Sequence, residues 1–283
     1  MKISISIPTY NRLENVKQLS ESLKYVKKIE QHSICIYDDA STAFNKEELI
    51  KIFSDDEVMV NNHNVGADIN TYQMCKDFLT SDCDYLFLCD SDLIVHADTL
   101  KFIEHNMDQT EGILSLLNSS GHETVKNATR TDQFVFKKYV GAAGIVFSKK
   151  IVQELIENIP YDSVNMWDWA FCNYFHKQGI KIFVSKQSYV LHTGINGENS
   201  NLLLFEFSKN YVPFNDYDKT QMDKLNKLFV ESYIKMSDFT KLKIILRKNL
   251  RTNLRRLISF VFGDTLLLKV LSWRKKKRYR GKT

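Results

Sequence analysis

The feature that most constrains the fold is a short apolar run, residues 84–92, that ends in two aspartates one residue apart. Tyr85 to Cys89 shows no alternation of polar and apolar residues, which favours a strand buried on both faces over a helix. Asp90 and Asp92 therefore stand at the carboxyl end of a strand, where open α/β sheets bind ligands. Two carboxylates there, or one carboxylate and a water, suit a hard divalent cation that holds a diphosphate. The alternative is an ordinary solvated Asp-Ser-Asp turn.

Predicted strands and helices alternate through the first half of the chain. Ile3 to Ile7 alternates strictly, which predicts a strand rather than a signal sequence. The segments that follow are a helix over 13–26, a strand at 34–37, a helix at 47–53, a strand at 57–60 and a loop at 61–70 that leads into a helix ending at Leu79. This order predicts an α/β fold with a mostly parallel, Rossmann-like sheet flanked by helices.

Composition limits the class of protein. At 283 residues with 43% hydrophobic residues, the chain suits one large globular domain or a domain with an appendage. Its five cysteines are odd in number and lack C-x-x-C spacing, so they fit a reducing cytosol better than a disulfide framework.

Positive charge is concentrated at the C-terminus. Residues 241–283 contain 15 Lys and Arg and a single acid, whereas the rest of the chain holds 24 bases and 33 acids. Leucines recur at helical spacing from Leu242 to Leu257, with bases on the other side, and no run reaches the ~18 to 20 apolar residues that spanning requires. We expect a domain at 1–215 and a basic amphipathic helical region at 216–283 that lies on an anionic membrane surface. The alternative is a helical pair packed on the domain or on a dimer partner, and the sequence does not determine the oligomeric state.

Four polar segments occur in a fixed order along the predicted domain: Pro8-Thr9-Tyr10-Asn11-Arg12, Asp38-Asp39-Ala40-Ser41, Asn64-Val65-Gly66 with Asn70, and Asp90-Ser91-Asp92. In order and spacing they resemble the successive blocks of family 2 glycosyltransferases, over about residues 1–195. The resemblance implies the GT-A fold, a single nucleotide-diphospho-sugar-binding domain, and transfer of the sugar to a hydroxyl with inversion.

The resemblance also implies roles on the donor side. Asp39 would contact the nucleobase, Asp90 would lie beside the ribose or a metal-bound water, and Asp92, with His192, would ligate Mn²⁺ or Mg²⁺. The other donor-binding positions are Pro8, Thr9, Tyr10, Asn11, Asn64, Gly66 and Ser91. A carboxylate at a strand tip also suits the N3–H of uracil, so a UDP-sugar is the expected donor, with guanine and thymine nucleotides left open. The structural alternatives are a capped turn after Asp39, a permissive turn at Gly66 and a lone structural histidine at position 192.

The second half of the chain carries the predicted acceptor side. A segment of small residues, 141–144, precedes an apolar strand, and Gly144 is expected near the sugar and acceptor; tight strand packing is the alternative. Asp168 lies in the first turn of a predicted helix that ends at Gly179. By resemblance to the family's Glu-Asp-x-x-Phe block it would be the catalytic base, although Trp167 replaces the usual acid before it and Ala170 a frequent second acid. The alternative is an acid that only interacts favourably with the helix dipole. Trp167 and Trp169 are expected to stack on sugar faces and to raise the pKa of Asp168.

The expected function is transfer of a sugar from a nucleotide-diphosphate donor to a glycan or lipid-linked acceptor in cell-surface polysaccharide assembly. The expected location is the cytoplasm, at the inner face of the membrane. A nucleotidyltransferase shares an acidic metal centre, but the segment at 8–11 lacks the Gly-rich, basic signature that holds a triphosphate. A nucleic-acid-binding protein is disfavoured because the aromatic residues lie mostly in the acidic body rather than in the basic tail.

Overall fold

The structure, a computed structural model, describes residues 1–54, 56–125, 132–159, 166–195 and 205–244, with residues 246 and 250. The strands in these ranges are β1 (Ile3–Thr9), β2 (Ser33–Asp38), β3 (Glu57–Val60), β4 (Tyr85–Leu88), β5 (Leu93–Val95), β6 (Ile113–Ser115), β7 (Phe134–Phe136), β8 (Ile145–Ser148), β9 (Phe183–Ser185) and β10 (Val190–His192). The helices are α1 (Leu13–Leu23), α2 (Lys46–Phe53), α3 (Ala67–Thr80), α4 (Thr99–Asn106), α5 (Lys149–Asn158), α6 (Trp167–Gln178) and α7 (Asp216–Lys235).

The strands form a mixed sheet and a small ribbon. The sheet has the order β3-β2-β1-β4-β8-β6-β9-β7, and β5 pairs with β10 in a separate two-stranded ribbon. Strands β3, β2, β1 and β4 run parallel, β8 is antiparallel to both of its neighbours, and β6 and β9 are again parallel. The prediction of a mostly parallel α/β sheet flanked by helices is confirmed.

Strand β4 is covered on both faces, as its unbroken apolar run predicts. Phe87 belongs to a core cluster with Ile5 and Leu19, on the side of helix α1. Leu86 and Leu88 belong to a second cluster, on the side of helices α3, α5 and α6. Because successive side chains of a strand point to opposite faces, one strand contributes to both cores. This burial fixes the position at which the chain leaves β4 and enters Asp90.

Several helix boundaries follow from local sequence. Helix α2 starts with a capping box, in which the Asn45 side chain accepts from the backbone N–H of Glu48 and the Glu48 side chain accepts from that of Asn45. Helix α6 ends at Gly179, which adopts the left-handed conformation (φ 72°) that glycine favours. Both boundaries agree with the sequence predictions.

Other elements differ from the predictions. The strands β5 and β7 and helix α4 were not predicted, because three-residue strands and an eight-residue helix contain too few positions to show a clear period. Helix α3 begins at Ala67, so Asn70 lies in the helix rather than in the preceding loop. Its buried side chain donates to the Tyr37 carbonyl at 3.1 Å, a partner that the local sequence does not reveal.

Helix α7 begins at the predicted boundary and packs on the domain through its first half. Leu225 joins a cluster with Ile94, Leu191 and Phe205, and the Tyr217 hydroxyl donates to the Gln18 carbonyl at 2.9 Å. The predicted basic helix lies outside the described residues from position 251 onward. No helix in the described ranges combines the length and apolar character that crossing a bilayer needs.

We expect Gly144→Ala to destabilise the protein and Gly141→Ala to leave its stability nearly unchanged. Gly144 has a φ of 73°, and a Cβ there would lie 2.8 Å from Val190 Cγ2, whereas a Cβ at Gly141 meets nothing closer than 3.9 Å. The left-handed backbone alone costs a non-glycine residue about 1 to 2 kcal/mol. Thermal melting of the two variants beside the wild type checks this, and equal melting temperatures for the two would contradict it.

Candidate active site

The carboxyl ends of three neighbouring parallel strands form the edge that carries most of the predicted donor residues. Thr9 pairs with Asp38 at the ends of β1 and β2, and Ser6 pairs with Leu88 at the end of β4. Pro8, paired with Tyr37, and the half-buried Tyr10 also lie at this end of β1. The parallel pairing therefore brings the segments after residues 8, 38 and 88 together.

Asp39 organises the loop that precedes helix α3. Its carboxylate is buried and accepts from the backbone N–H groups of Val65 and Gly66, each at 2.8 Å. The amide of Asn61 donates to Oδ1 at 3.1 Å. A carboxylate has about four acceptor positions, so these three bonds leave about one on Oδ2. Asn64 itself is exposed, and Gly66 has a left-handed φ of 90° with open space where a Cβ would stand.

Asn11 holds the segment after Asp38 in place. Its side-chain oxygen accepts from the backbone N–H groups of Thr42, at 2.7 Å, and Ala43, at 2.9 Å. Asp38 is buried, and its carboxylate accepts a hydrogen bond from the Ser41 N–H. Burial raises the pKa of Asp38. The Thr9 hydroxyl is buried and has no hydrogen-bond partner within the described residues. Thr9 is therefore a polar group at this edge with unused hydrogen-bonding capacity.

The β5–β10 ribbon brings His192 to Asp92. His192 pairs with Leu93, the residue that follows Asp92. This pairing places the His192 Nε2 atom 3.6 Å from Asp92 Oδ2. Thr193 donates to the Asp92 carbonyl through both its N–H and its hydroxyl, each at 2.8 Å. A Cβ at Gly194 would overlap the Asp92 carboxylate, so only glycine permits this approach. Ser91 is buried between the two aspartates.

Arg12 completes this cluster, although no role was predicted for it. Its guanidinium donates to Asp92 Oδ2 and forms an ion pair with it. Arg12 belongs to the polar segment 8–12 at the end of β1, and its place in that segment is the sequence feature that could have identified it as a site residue. A buried carboxylate next to a strand end needs a counter-charge, and Arg12 supplies one.

The cluster has a strongly perturbed charge state. Burial, reinforced by the charge of Asp92, raises the pKa of Asp90 to about 7. Burial also works to raise the pKa of Asp92, but His192 and Arg12 outweigh it and hold that pKa below its ordinary value. Burial opposes protonation of His192, yet the carboxylate of Asp92 raises the pKa of the imidazole. Asp92 therefore loses its proton more readily than Asp90.

The chemistry of these side chains fits a divalent cation. Asp92 Oδ1 and His192 Nδ1 are buried and have no hydrogen-bond partner within the described residues. Carboxylate oxygen and imidazole nitrogen are ligands that Mn²⁺ accepts, and carboxylate oxygen also suits Mg²⁺. In the described ranges, no three His, Cys, Asp or Glu side chains are already grouped as a metal site. Arg12 takes the place beside Oδ2, so a cation would share the carboxylate with the guanidinium or displace it.

Asp168 lies at the same edge of the sheet. It occupies the first turn of α6, and its Oδ2 is 3.9 Å from the position that a Cβ of Gly141 would take. Three residues later, the Gly144 N–H donates to the Leu88 carbonyl at the end of β4. The small-residue segment 141–144 thus runs from Asp168 to the strand that leads into Asp90.

The two tryptophans beside Asp168 have different surroundings. Trp169 is half-buried and lies 4.8 Å from the Tyr139 ring, centroid to centroid. Trp167 is 1% exposed and packs edge-on against Tyr72, so the prediction that it stacks on a sugar is wrong for this structure. Helical spacing puts Trp167 on the same face as the buried Phe171 and Phe175, and that periodicity already indicated burial. Gly144 is likewise buried, and its left-handed backbone and the close approach of Val190 account for a glycine at this position.

Comparisons with known proteins agree with this architecture. Two solved structures of S. aureus TarS, residues 1–349, match with TM-scores of 0.51 and 0.53, each at 16% identity; the second contains UDP-GlcNAc. The matches cover 69% and 80% of this chain and 61% and 65% of the TarS chains, so this chain spans less than two thirds of their length. At this identity the likeness shows the fold. No curated protein matches the chain.

The parallel edge, its acidic strand ends and the segment 141–144 lie within the region that a family model recognises, and the match ends directly before helix α6, which carries Asp168. The model described as "Glycosyl transferase family 2" matches residues 4–166, which is more than half of the chain. The chain therefore belongs to glycosyl transferase family 2.

Proposed function

We propose that the protein is an inverting glycosyltransferase that moves a sugar from a UDP-sugar to a hydroxyl of a glycan or lipid-linked acceptor. The observation that carries the proposal is the placement of Asp168 beside the segment 141–144, which leads directly to the end of β4 and the aspartate pair. A base and an acidic donor site at one sheet edge are what a displacement at the anomeric carbon needs.

In the proposed reaction, Asp168 accepts the proton of the acceptor hydroxyl as its oxygen attacks the anomeric carbon. The bond from that carbon to the diphosphate breaks, and the nucleoside diphosphate leaves with the electron pair on the opposite face. Asp39 accepts a hydrogen bond from the N3–H of uracil through its remaining acceptor position. The complex of TarS with UDP-GlcNAc, a protein of the same fold, supports a UDP-sugar as the donor.

Asp92 and His192 would hold a Mn²⁺ or Mg²⁺ ion. A bound divalent ion supplies charge stabilisation for the leaving diphosphate. Arg12 adds a fixed positive charge at the same place, which also favours the binding of a dianionic diphosphate.

We expect Asp168→Asn to abolish sugar transfer and to leave UDP binding intact, because the amide cannot accept the proton. The control is Asp77→Asn, on helix α3, where the carboxylate accepts only from the neighbouring Gln73 side chain among the bonds described. Transfer is measured with a panel of nucleotide sugars, and UDP binding by calorimetry. Normal turnover by the Asp168→Asn protein would remove this residue from the mechanism.

We expect Asp92→Asn to weaken Mn²⁺ binding in the presence of UDP by at least about tenfold. The control is Asp82→Asn, which removes an exposed carboxylate that pairs with Lys2 near the opposite end of β1. Binding is followed by the electron paramagnetic resonance signal of free Mn²⁺. An unchanged affinity for Mn²⁺ in the Asp92→Asn protein would rule out this residue as a ligand.

We further propose that the C-terminal region docks on an anionic membrane surface and so brings the active site to a membrane-borne acceptor. Exposed apolar side chains continue beyond the part of α7 that packs on the domain: Ile234, Phe239, Leu242, Leu246 and Leu250 are 72%, 75%, 54%, 57% and 70% exposed. The excess of basic residues after position 240 complements anionic lipid. Apolar side chains among bases are typical of helices that lie in the membrane interface.

We expect truncation after residue 238 to release the protein from anionic liposomes, and Leu242→Ser with Leu246→Ser to weaken binding without removing any base. The control is Val212→Ser, which changes an apolar side chain that is 57% exposed elsewhere on the surface. Cosedimentation with vesicles containing phosphatidylserine is compared with cosedimentation with neutral vesicles. Equal partitioning of the truncated and full-length proteins contradicts the proposal, and a change from dimer to monomer on truncation would favour a partner chain instead.

A further inference from the structure

Helix α6, which carries Asp168, starts without a capping side chain of its own. The residue at its N-cap is Met166, which makes no side-chain hydrogen bond and adopts a left-handed φ of 82°. Met166 cannot cap the first N–H groups of the helix, which have no partners within the helix. Something outside the helix must therefore bind them.

Asp68 of helix α3 supplies that cap from almost 100 residues away in sequence. Its Oδ2 accepts from the Met166 N–H at 3.0 Å, and its Oδ1 accepts from the Trp167 N–H at 3.3 Å. Both oxygens are directed at the helix start that immediately precedes Asp168. A carboxylate is also the favourable charge at a helix N-terminus.

A second contact fixes the same turn of α6. Tyr72 lies four residues after Asp68 on the same face of α3, and its ring meets Trp167 edge-on at 5.6 Å between centroids. The indole is 1% exposed, so it cannot rotate without opening the core. Asp68 and Tyr72 together determine both the position of the first turn of α6 and its rotation about the helix axis.

The start of helix α3 is held by Asp39, the proposed nucleobase-binding residue. The N–H groups of Val65 and Gly66, directly before α3, both donate to Asp39. Helix α3 is thus held by one carboxylate at its entrance and holds α6 with another, Asp68, in its first turn.

We propose that Asp68 is a positioning residue, which sets the location of Asp168 by capping α6. Through helix α3 it links Asp39, the proposed nucleobase-binding residue, to Asp168, the proposed catalytic base. This inference rests on the proposed function of Asp168. Loss of the cap would let the first turn of α6 move, while the contacts of Asp39 stay in place. The reaction step then slows, and donor binding does not change. A misplacement of about 1 Å can lower the rate of a positioned reaction about 100-fold.

The test compares Asp68→Ala, Asp68→Asn and the control Asp77→Ala, on the same helix. We expect Asp68→Ala to lower kcat about 100-fold, with the KM for donor and the affinity for UDP changed less than twofold. Asp68→Asn keeps an acceptor oxygen and should recover part of the loss, and Asp77→Ala should behave like the wild type. Full-length protein with the substitution Trp273→Phe, labelled with 5-fluorotryptophan, reports the geometry directly, because it keeps only Trp167 and Trp169. Their ¹⁹F resonances should shift in Asp68→Ala and not in Asp77→Ala.

Three outcomes overturn the inference. One is an unchanged kcat in Asp68→Ala. Another is a parallel loss of kcat, UDP affinity and melting temperature, which would indicate general destabilisation. The third is unshifted ¹⁹F resonances. Failure of the proposed function is seen separately, as absence of transfer by the wild type or normal transfer by Asp168→Asn.

Discussion

The burial of strand β4 between two apolar cores is the constraint on which the rest of the structure depends. Phe87 contributes to one core and Leu86 and Leu88 to the other, so the strand cannot slip by one residue without exchanging the side chains of both. That register fixes where Asp90 and Asp92 emerge. It also fixes β8, whose first residue, Ile145, pairs with Leu88 and thereby places the small-residue segment before it.

Several carboxylates at this edge of the sheet accept hydrogen bonds from backbone N–H groups and so have a structural role. Asp38 binds the Ser41 N–H, Asp39 binds two N–H groups before α3, and Asp68 binds two at the start of α6. The bonds of Asp38 and Asp39 hold loops against the sheet edge, and those of Asp68 hold the start of α6 against α3. Charge-assisted bonds to backbone N–H groups are stronger than neutral ones, so the acids hold the loops of the site in defined positions. Asp92 differs, because its partners are side chains, the guanidinium of Arg12 and the imidazole of His192.

Much of the site was predictable because its residues follow recognisable strands or start a recognisable helix. Asp39 and Asp90 each come after an apolar run. The helical spacing of Phe171 and Phe175, with Gly179 at the end, predicts a helix whose first turn contains Asp168. The contact of His192 with Asp92 was inferred from family resemblance alone, since it depends on two three-residue strands that pair across about 100 residues of chain. Arg12 was visible in the sequence without a partner. Asp68 gave no signal, because its acceptor role requires knowing that α3 and α6 meet.

The sequence by itself determined the order of the elements, the burial of β4 and the placement of acids at strand ends, because these depend on periodicity and on the residue that follows each run. It also determined the charge contrast between the body and the C-terminal region. Only the tertiary structure decided which charge neutralises Asp92, which residue caps α6 and which tryptophan beside Asp168 is buried in the core. Those outcomes depend on side chains that lie far apart in the chain and meet only after the sheet and its helices have packed, and local sequence carries no record of such meetings.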